Sequence, residues 1–413
     1  MKKNIFRAVK ILCLLLALAV TVGVLQEFVL CHADHNRQRI KGFFEEERDS
    51  LDIVLLGASE VYSDFSPGYA YEYGGVTSYL FATQANSILN YKSQLKNILA
   101  RQKDALIVIE LNGAVNDEAE TTKEANLHNY ADNVPLDSAK LEWMAQSEVE
   151  NKSEYLCPII KYHSVWSDVP GNMKYQKTII GDKLRGYTYL KGILNETAVF
   201  QSTQRSMNQY LQQLSDGEGI PHIKATADSA QQRDSKNNHH IQKKTDDNQT
   251  KKGRKPLPER EENALRELLS YCKEQKLDNV VFTRFPHIVV KRTFDRFEKS
   301  NTVGDIVAEY GYDYLNFERD FSTTGLDETK DFYNLDHLNV RGQQKFTAFL
   351  TDYLTTRYAV SPKQQSESVK SEWEICSKYY KAYSLYSEQL LSQGEKRELS
   401  ENCELIETLN NFL

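Results

Sequence analysis

Hydrophobic positions fall along the chain in three kinds of run. The first, residues 11–25, is uninterrupted, and it resumes briefly over 28–31 after Gln26 and Glu27. Together they reach about the twenty apolar residues that a membrane-crossing helix needs. The second kind is short and mainly apolar, as expected of strands covered on both faces: 53–56, 105–111 with 106–109 unbroken, 279–283 and a short strand at 312–317. The third has helical spacing. Ile88, Leu89, Tyr91, Leu95 and Ile98 predict a helix over 85–100, and Leu265, Leu268, Leu269 and Cys272 predict one over 261–275. Further helices are expected at 306–310 and 343–358. Strand, helix and strand in quick succession read as a right-handed crossover unit with a parallel sheet, hence an α/β fold.

That rhythm stops between the two halves. Residues 118–220 carry helical and irregular stretches with scattered aromatics (Trp143, Tyr155, Trp166, Tyr187, Tyr189), expected to be an insertion packed on the α/β core. The aromatics read most simply as core, with a sugar-lining groove as the sharper alternative. Residues 221–260 are polar, include His222, His239 and His240, and hold too little apolar surface to fold, so a solvated loop is expected rather than a metal tract. A tail over 359–413 has helical spacing at Trp373, Tyr380, Tyr383, Leu390 and Leu391, and either folds back or contacts a partner. The expected order is a basic stub 1–10, an apolar helix 11–31, a first core half 32–117, the insertion, the loop, a second core half 261–358 and the tail.

Charge gives the apolar run an orientation. Lys2, Lys3, Arg7 and Lys10 precede it, which points to a cytoplasmic N-terminus with the remainder exported; Arg37, Arg39 and Lys41 on the far side pull the other way. No small-x-small cleavage site follows, and Leu30 before Cys31 makes a poor lipoprotein site, so an uncleaved anchor is favoured over a cleaved signal. A net charge of −7 gives no reason to expect nucleic acid. The six cysteines match no metal-ligand spacing; buried free thiols are expected, with a disulfide left open.

Two segments carry candidate chemistry. After the first strand, Gly57 permits a turn and places Ser59 just beyond the strand's C-terminal end, where open α/β sheets bind ligands. Ser59 is there either a nucleophile or a helix N-cap. Before the last helix, His337 lies among Asp331, Asn334, Asp336 and Asn339, a setting that suits a general base, or else Asp336 caps the helix and His337 is a surface residue.

Together, Gly57-Ala58-Ser59 and the Asp336-His337-Leu338-Asn339-x-x-Gly342 segment resemble the first and last blocks of the SGNH (GDSL-like) hydrolases. The closer likeness is to membrane-anchored bacterial members that handle acyl groups on cell-envelope polymers. The resemblance covers roughly 51–111 and 261–358. It implies a three-layer flavodoxin-like sandwich, Ser59 as nucleophile and His337 as base, with no cofactor or metal. It further implies a cell-surface polysaccharide or acyl donor as partner, with other envelope-assembly proteins as further partners. The family places an aspartate three residues before the histidine; here that position is Asn334, leaving Asp336, Asp331 or a Ser59–His337 dyad. Gly57, Gln84 and Asn112 are candidates for the oxyanion hole and substrate contacts, and Arg284 and His287 for an anionic or sugar group or a structural ion pair. The expectation is an extracytoplasmic serine esterase or O-acyltransferase; the alternative is a silent SGNH fold that binds glycan or scaffolds an envelope assembly.

Overall fold

A computed structural model describes residues 2–29, 35–116, 120–147, 149–158, 160–161, 188–208, 211, 253–319, 321–401 and 403–413. Trp166, Tyr187, the three histidines of the polar loop and Cys31 lie outside the described residues. The apolar N-terminal run is one helix, Lys2–Val29, whose segment Lys3–Leu25 is long and apolar enough to cross a membrane.

The body is α/β. Among the described residues five parallel strands form the central sheet: β1 (Ile53–Gly57), β2 (Ser78–Ala82), β3 (Leu106–Glu110), β5 (Val280–Arg284) and β6 (Tyr314–Asn316), in the spatial order β2-β1-β3-β5-β6. Side chains alternate between the faces, as the pleat requires. Ile53, Leu55, Leu80, Val108 and Val281 enter one core with Phe346, Leu350 and Leu354 of the helix Val340–Arg357. Val54, Leu56, Phe81, Ile107 and Phe282 enter the other, with Ile88, Leu95 and Ile98 of Ile88–Arg101 and Leu265, Leu268 and Leu269 of Glu259–Glu274. Both faces are covered, which is why the strands read as continuous apolar runs.

Two expected elements change in length. The helix anticipated at 306–310 is Phe294–Glu309, starting earlier because its buried positions Phe297 and Val303 are spaced by polar residues that are themselves buried. The stretch after the apolar helix, expected as a stalk or short helix, is a helix packed on the body, His35–Glu45, with Asn36, Arg37, Arg39, Ile40 and Phe43 buried. In the insertion, Trp143 and Tyr155 build a small core of their own with Leu127 and Met144, and Tyr189 stacks on Tyr379 at 4.3 Å.

The tail folds back as a long helix, Glu367–Gln393, followed by β7 (Glu398–Ser400). β7 pairs antiparallel with β4 (Leu194–Glu196) at the far end of the insertion, with Glu196 opposite Glu398. Neither strand is visible in the sequence, since three residues carry no periodicity. Cys13, Cys157, Cys272 and Cys376 are free, the last two buried.

Candidate active site

β1 lies between β2 and β3, so the chain reverses its direction of growth between β1 and β3. Ser59 follows β1 and Asn112 follows β3, placing both at the C-terminal edge beside that reversal, where such sheets form a crevice. Gly57 is the last residue of β1, and a side chain is excluded there because a Cβ would meet Val61 Cγ2 at 2.5 Å and Glu110 Cβ at 2.9 Å. Ser59 is not a cap: Ala58 holds that position, and Ser59 opens the helix Ser59–Asp64. Its main-chain N–H therefore has no intrahelical acceptor.

His337 is delivered by a loop held from several sides. The Asn334 side-chain oxygen accepts from the main-chain N–H of Asp336 (2.7 Å) and of His337 (2.8 Å), an Asx turn. The N–H of Leu338 donates to Asp64 Oδ1 at 2.8 Å, and Asn339, not Asp336, caps the following helix by accepting from Arg341 and Gly342. These contacts put His337 Nε2 2.9 Å from Ser59 Oγ, across 278 residues of chain.

Nδ1 of the same ring meets two groups. Asn334 Nδ2 lies 3.1 Å away and Glu196 Oε1 3.2 Å away. Because Asn334 Oδ1 is committed to main-chain N–H groups, its amide presents a donor to Nδ1 and cannot accept a proton from it. Glu196, from β4, can. It is 4% exposed, and its other oxygen has no hydrogen-bond partner among the described residues. Burial raises its carboxyl above the usual range, and the bond to His337 pulls the other way. For His337 burial disfavours the charge, but the Glu196 bond and the fields of Glu196, Glu60 and Asp64 outweigh it and raise the imidazole to about 10.

Asp336 does not reach Nδ1; its carboxylate lies 3.4 Å from Arg296. Asp331 accepts from Lys345 Nζ at 2.6 Å and from the N–H of Asp327 at 2.8 Å, and so is also elsewhere. The carboxylate behind His337 is thus one that no local pattern announces. Glu196 lies far from His337 in sequence, in a strand too short to read.

Beneath the cleft is a buried charge network. Ser59 Oγ also lies 3.3 Å from Glu60 Oε2, while Glu60 Oε1 accepts from Asn112 Nδ2 and lies 3.3 Å from His287 Nε2. Arg284 donates to Asn112 Oδ1, and its Nε and Nη1 lie 3.1 Å from Glu318 and 3.4 Å from Glu110. Burial works against charge on Glu60, yet the His287 bond and the fields of His287, His337 and Arg284 hold its carboxyl down to about 2. Glu110, desolvated and facing Glu60, is raised to about 8.

This network corrects the expected substrate contacts. Arg284 and His287 are 1% and 3% exposed and do not line the cleft; they are structural partners of Glu60, Glu110 and Glu318. Gly57 accepts at its carbonyl from Asn86 Nδ2 (2.9 Å) and is likewise beneath the cleft. Asn112 reaches the cleft, but its amide is engaged at both ends. Gln84 lines the cleft with an exposed side chain, while its main-chain N–H donates to Asn36 Oδ1 at 2.7 Å.

The cleft holds about 650 Å³ and is lined by Ser59, His337 and Glu196 together with polar groups that include Asn36, Arg39, Asn116, Arg296 and Glu398. Comparison with protein-family models gives no match, nor does comparison with curated proteins.

Proposed function

We propose that the chain is a membrane-anchored, extracytoplasmic serine esterase or O-acyltransferase of the SGNH (GDSL-like) type, acting on acyl (acetyl) esters of a cell-surface glycan. The observation that carries this reading is the 2.9 Å contact between Ser59 Oγ and His337 Nε2 at the C-terminal sheet edge, backed by Glu196 at 3.2 Å. Nucleophile, base and orienting carboxylate stand in the serial order that serine acyl transfer requires. The strand order also fits, since with the inserted β4 set aside it is the 2-1-3-4-5 order of flavodoxin-like sheets.

In the reaction, neutral His337 takes the Ser59 proton at Nε2 while Ser59 Oγ attacks the ester carbonyl. The imidazolium is held by Glu196 through Nδ1–H, and then protonates the departing alcohol. The acyl-enzyme is resolved by water in an esterase, or by a sugar hydroxyl in a transferase, with His337 again accepting the proton. The Ser59 N–H at the open start of its helix is one donor for the oxyanion. Polar groups around a 650 Å³ cleft suit a hydroxyl-rich substrate better than a long acyl chain. The Ser59–His337 contact favours this reading over a silent scaffold.

The test exposes the full chain to a fluorophosphonate probe and to p-nitrophenyl acetate, beside Ser59→Ala and His337→Ala. Labelling and ester cleavage should vanish in both variants. Absent labelling, or labelling that survives Ser59→Ala, would overturn the assignment.

A further inference from the structure

The helix that follows the apolar segment forms part of the cleft wall. In His35–Glu45, Tyr79 OH donates to the Arg39 carbonyl at 3.0 Å, and the Phe43 ring lies 4.3 Å from that of Phe81. The Arg39 guanidinium sits 3.7 Å over the Tyr62 ring, and its Nε donates to the Ala82 carbonyl at 3.2 Å. Just beyond the helix, Glu46 pairs with buried Lys191 at 2.7 Å. At its start, the His35 ring is 2.7 Å from Ser400 Oγ on β7. His35, Asn36 and Arg39 line the same cleft as Ser59. The body is therefore gripped by the first helix after the apolar one, on the side where the nucleophile opens.

The leash is short. From Val29, where the apolar helix ends, to His35 is six residue steps, which even fully extended span only about 20 Å. With Lys3–Leu25 in a bilayer, the cleft wall cannot stand further than that from the end of the helix. A polymer remote from the membrane gains nothing from this tether. A molecule anchored in the same bilayer gains effective concentration, which for short tethers is on the order of millimolar. The polar lining would admit the ester-bearing sugar or headgroup and leave the lipid tails in the membrane.

We infer that the cleft works on an acyl ester carried by a lipid-anchored molecule in the membrane that holds the chain's own helix. This deepens the esterase reading and rests on it. The experiment uses the full chain in phosphatidylglycerol vesicles and two fluorophosphonate probes, one water-soluble and one linked through a short glycol spacer to diacylglycerol. A variant carries a rigid helical spacer of about 30 residues between Ala33 and Asp34, which lifts the body by about 45 Å. The lipid-linked probe should label Ser59 of the native chain at least tenfold faster than in the spacer variant. The soluble probe should label both within a factor of two, which also shows that the variant folds. Equal labelling of both chains by the lipid-linked probe would overturn the inference, as would labelling of the native chain by the soluble probe alone. If neither probe labels Ser59, the esterase reading fails and the inference falls with it.

Discussion

Replacing Glu196 by Gln keeps the shape of the buried side chain and removes its charge. Glu196 is the first of the groups that raise His337 from 6.5 to about 10, and the imidazole is 18% exposed, so solvent screens the pair only in part. Losing that charge should lower the imidazole midpoint back towards its ordinary value. The direction follows from the chemistry. His337 must be neutral to accept the Ser59 proton, so the rate rises with pH through the imidazole midpoint, and native activity climbs well above pH 6.5. In Glu196→Gln that limb moves to lower pH, while turnover on its plateau falls by about 10³ to 10⁴, as when the carboxylate of a serine triad is removed. A second substitution separates positioning from mere stability. Asn334 already points its amide at Nδ1 from 3.1 Å, so Asn334→Asp in the Glu196→Gln background supplies a carboxylate to the same proton and should restore at least tenfold of the loss. The assay is the pH profile of p-nitrophenyl acetate hydrolysis for native, single and double variants. A thermal-melt series adds an independent check. A raised folded-state midpoint stabilises fully below pH 6.5 and is lost as pH rises through that midpoint, so native and Glu196→Gln melting temperatures should converge towards pH 10. Unchanged turnover and an unmoved limb in Glu196→Gln would refute the role given to this residue.

The other predictions follow from the same geometry. Asp336→Asn should leave turnover within about threefold, because its carboxylate faces Arg296 rather than His337; a fall comparable to that of Glu196→Gln in the same assay would restore Asp336 as the orienting group. Arg284→Met should cost about 3–5 kcal/mol in denaturant unfolding, since it strands buried Glu110 and Glu318, and a raised KM with unchanged stability would instead make it a substrate contact. Gly342→Ala should destabilise by about 1–3 kcal/mol and weaken probe labelling, because a Cβ there runs into the Asp331 carbonyl at the base of the His337 loop. Deleting 361–413 removes β7, the partner of β4, and Glu401, whose carboxylate accepts from the N–H groups of Tyr189 and Leu190 at 2.8 Å. Labelling of Ser59 should then be lost, and labelling at the native rate would show that Glu196 does not need its strand partner.

The sheet was legible because burial on both faces writes itself as unbroken apolar runs, and β1, β3 and β5 appear within a residue or so of where those runs fall. Ser59 and His337 were legible for a related reason. A strand end and a helix start are local features, marked by Gly57 and by the segment from Asp336 to Gly342. What faces Nδ1 was not local. Asn334 stands where the resembled family has its aspartate, and its side-chain oxygen accepts from the main-chain N–H groups of the turn. The carboxylate comes from a three-residue strand whose pairing partner lies in the tail, so its place depends on long-range closure of the chain rather than on any spacing. Arg284 and His287 show the converse. Their positions at the end of β5 were visible, but whether a strand-end cation meets a ligand or a buried carboxylate is decided by what packs above it, here Glu60 and Glu318. Sequence alone determined β1, β3, β5 and β6, the apolar helix and the two ends of the candidate site. Only the tertiary structure decided which carboxylate completes it, because proximity across hundreds of residues is a property of the packed chain.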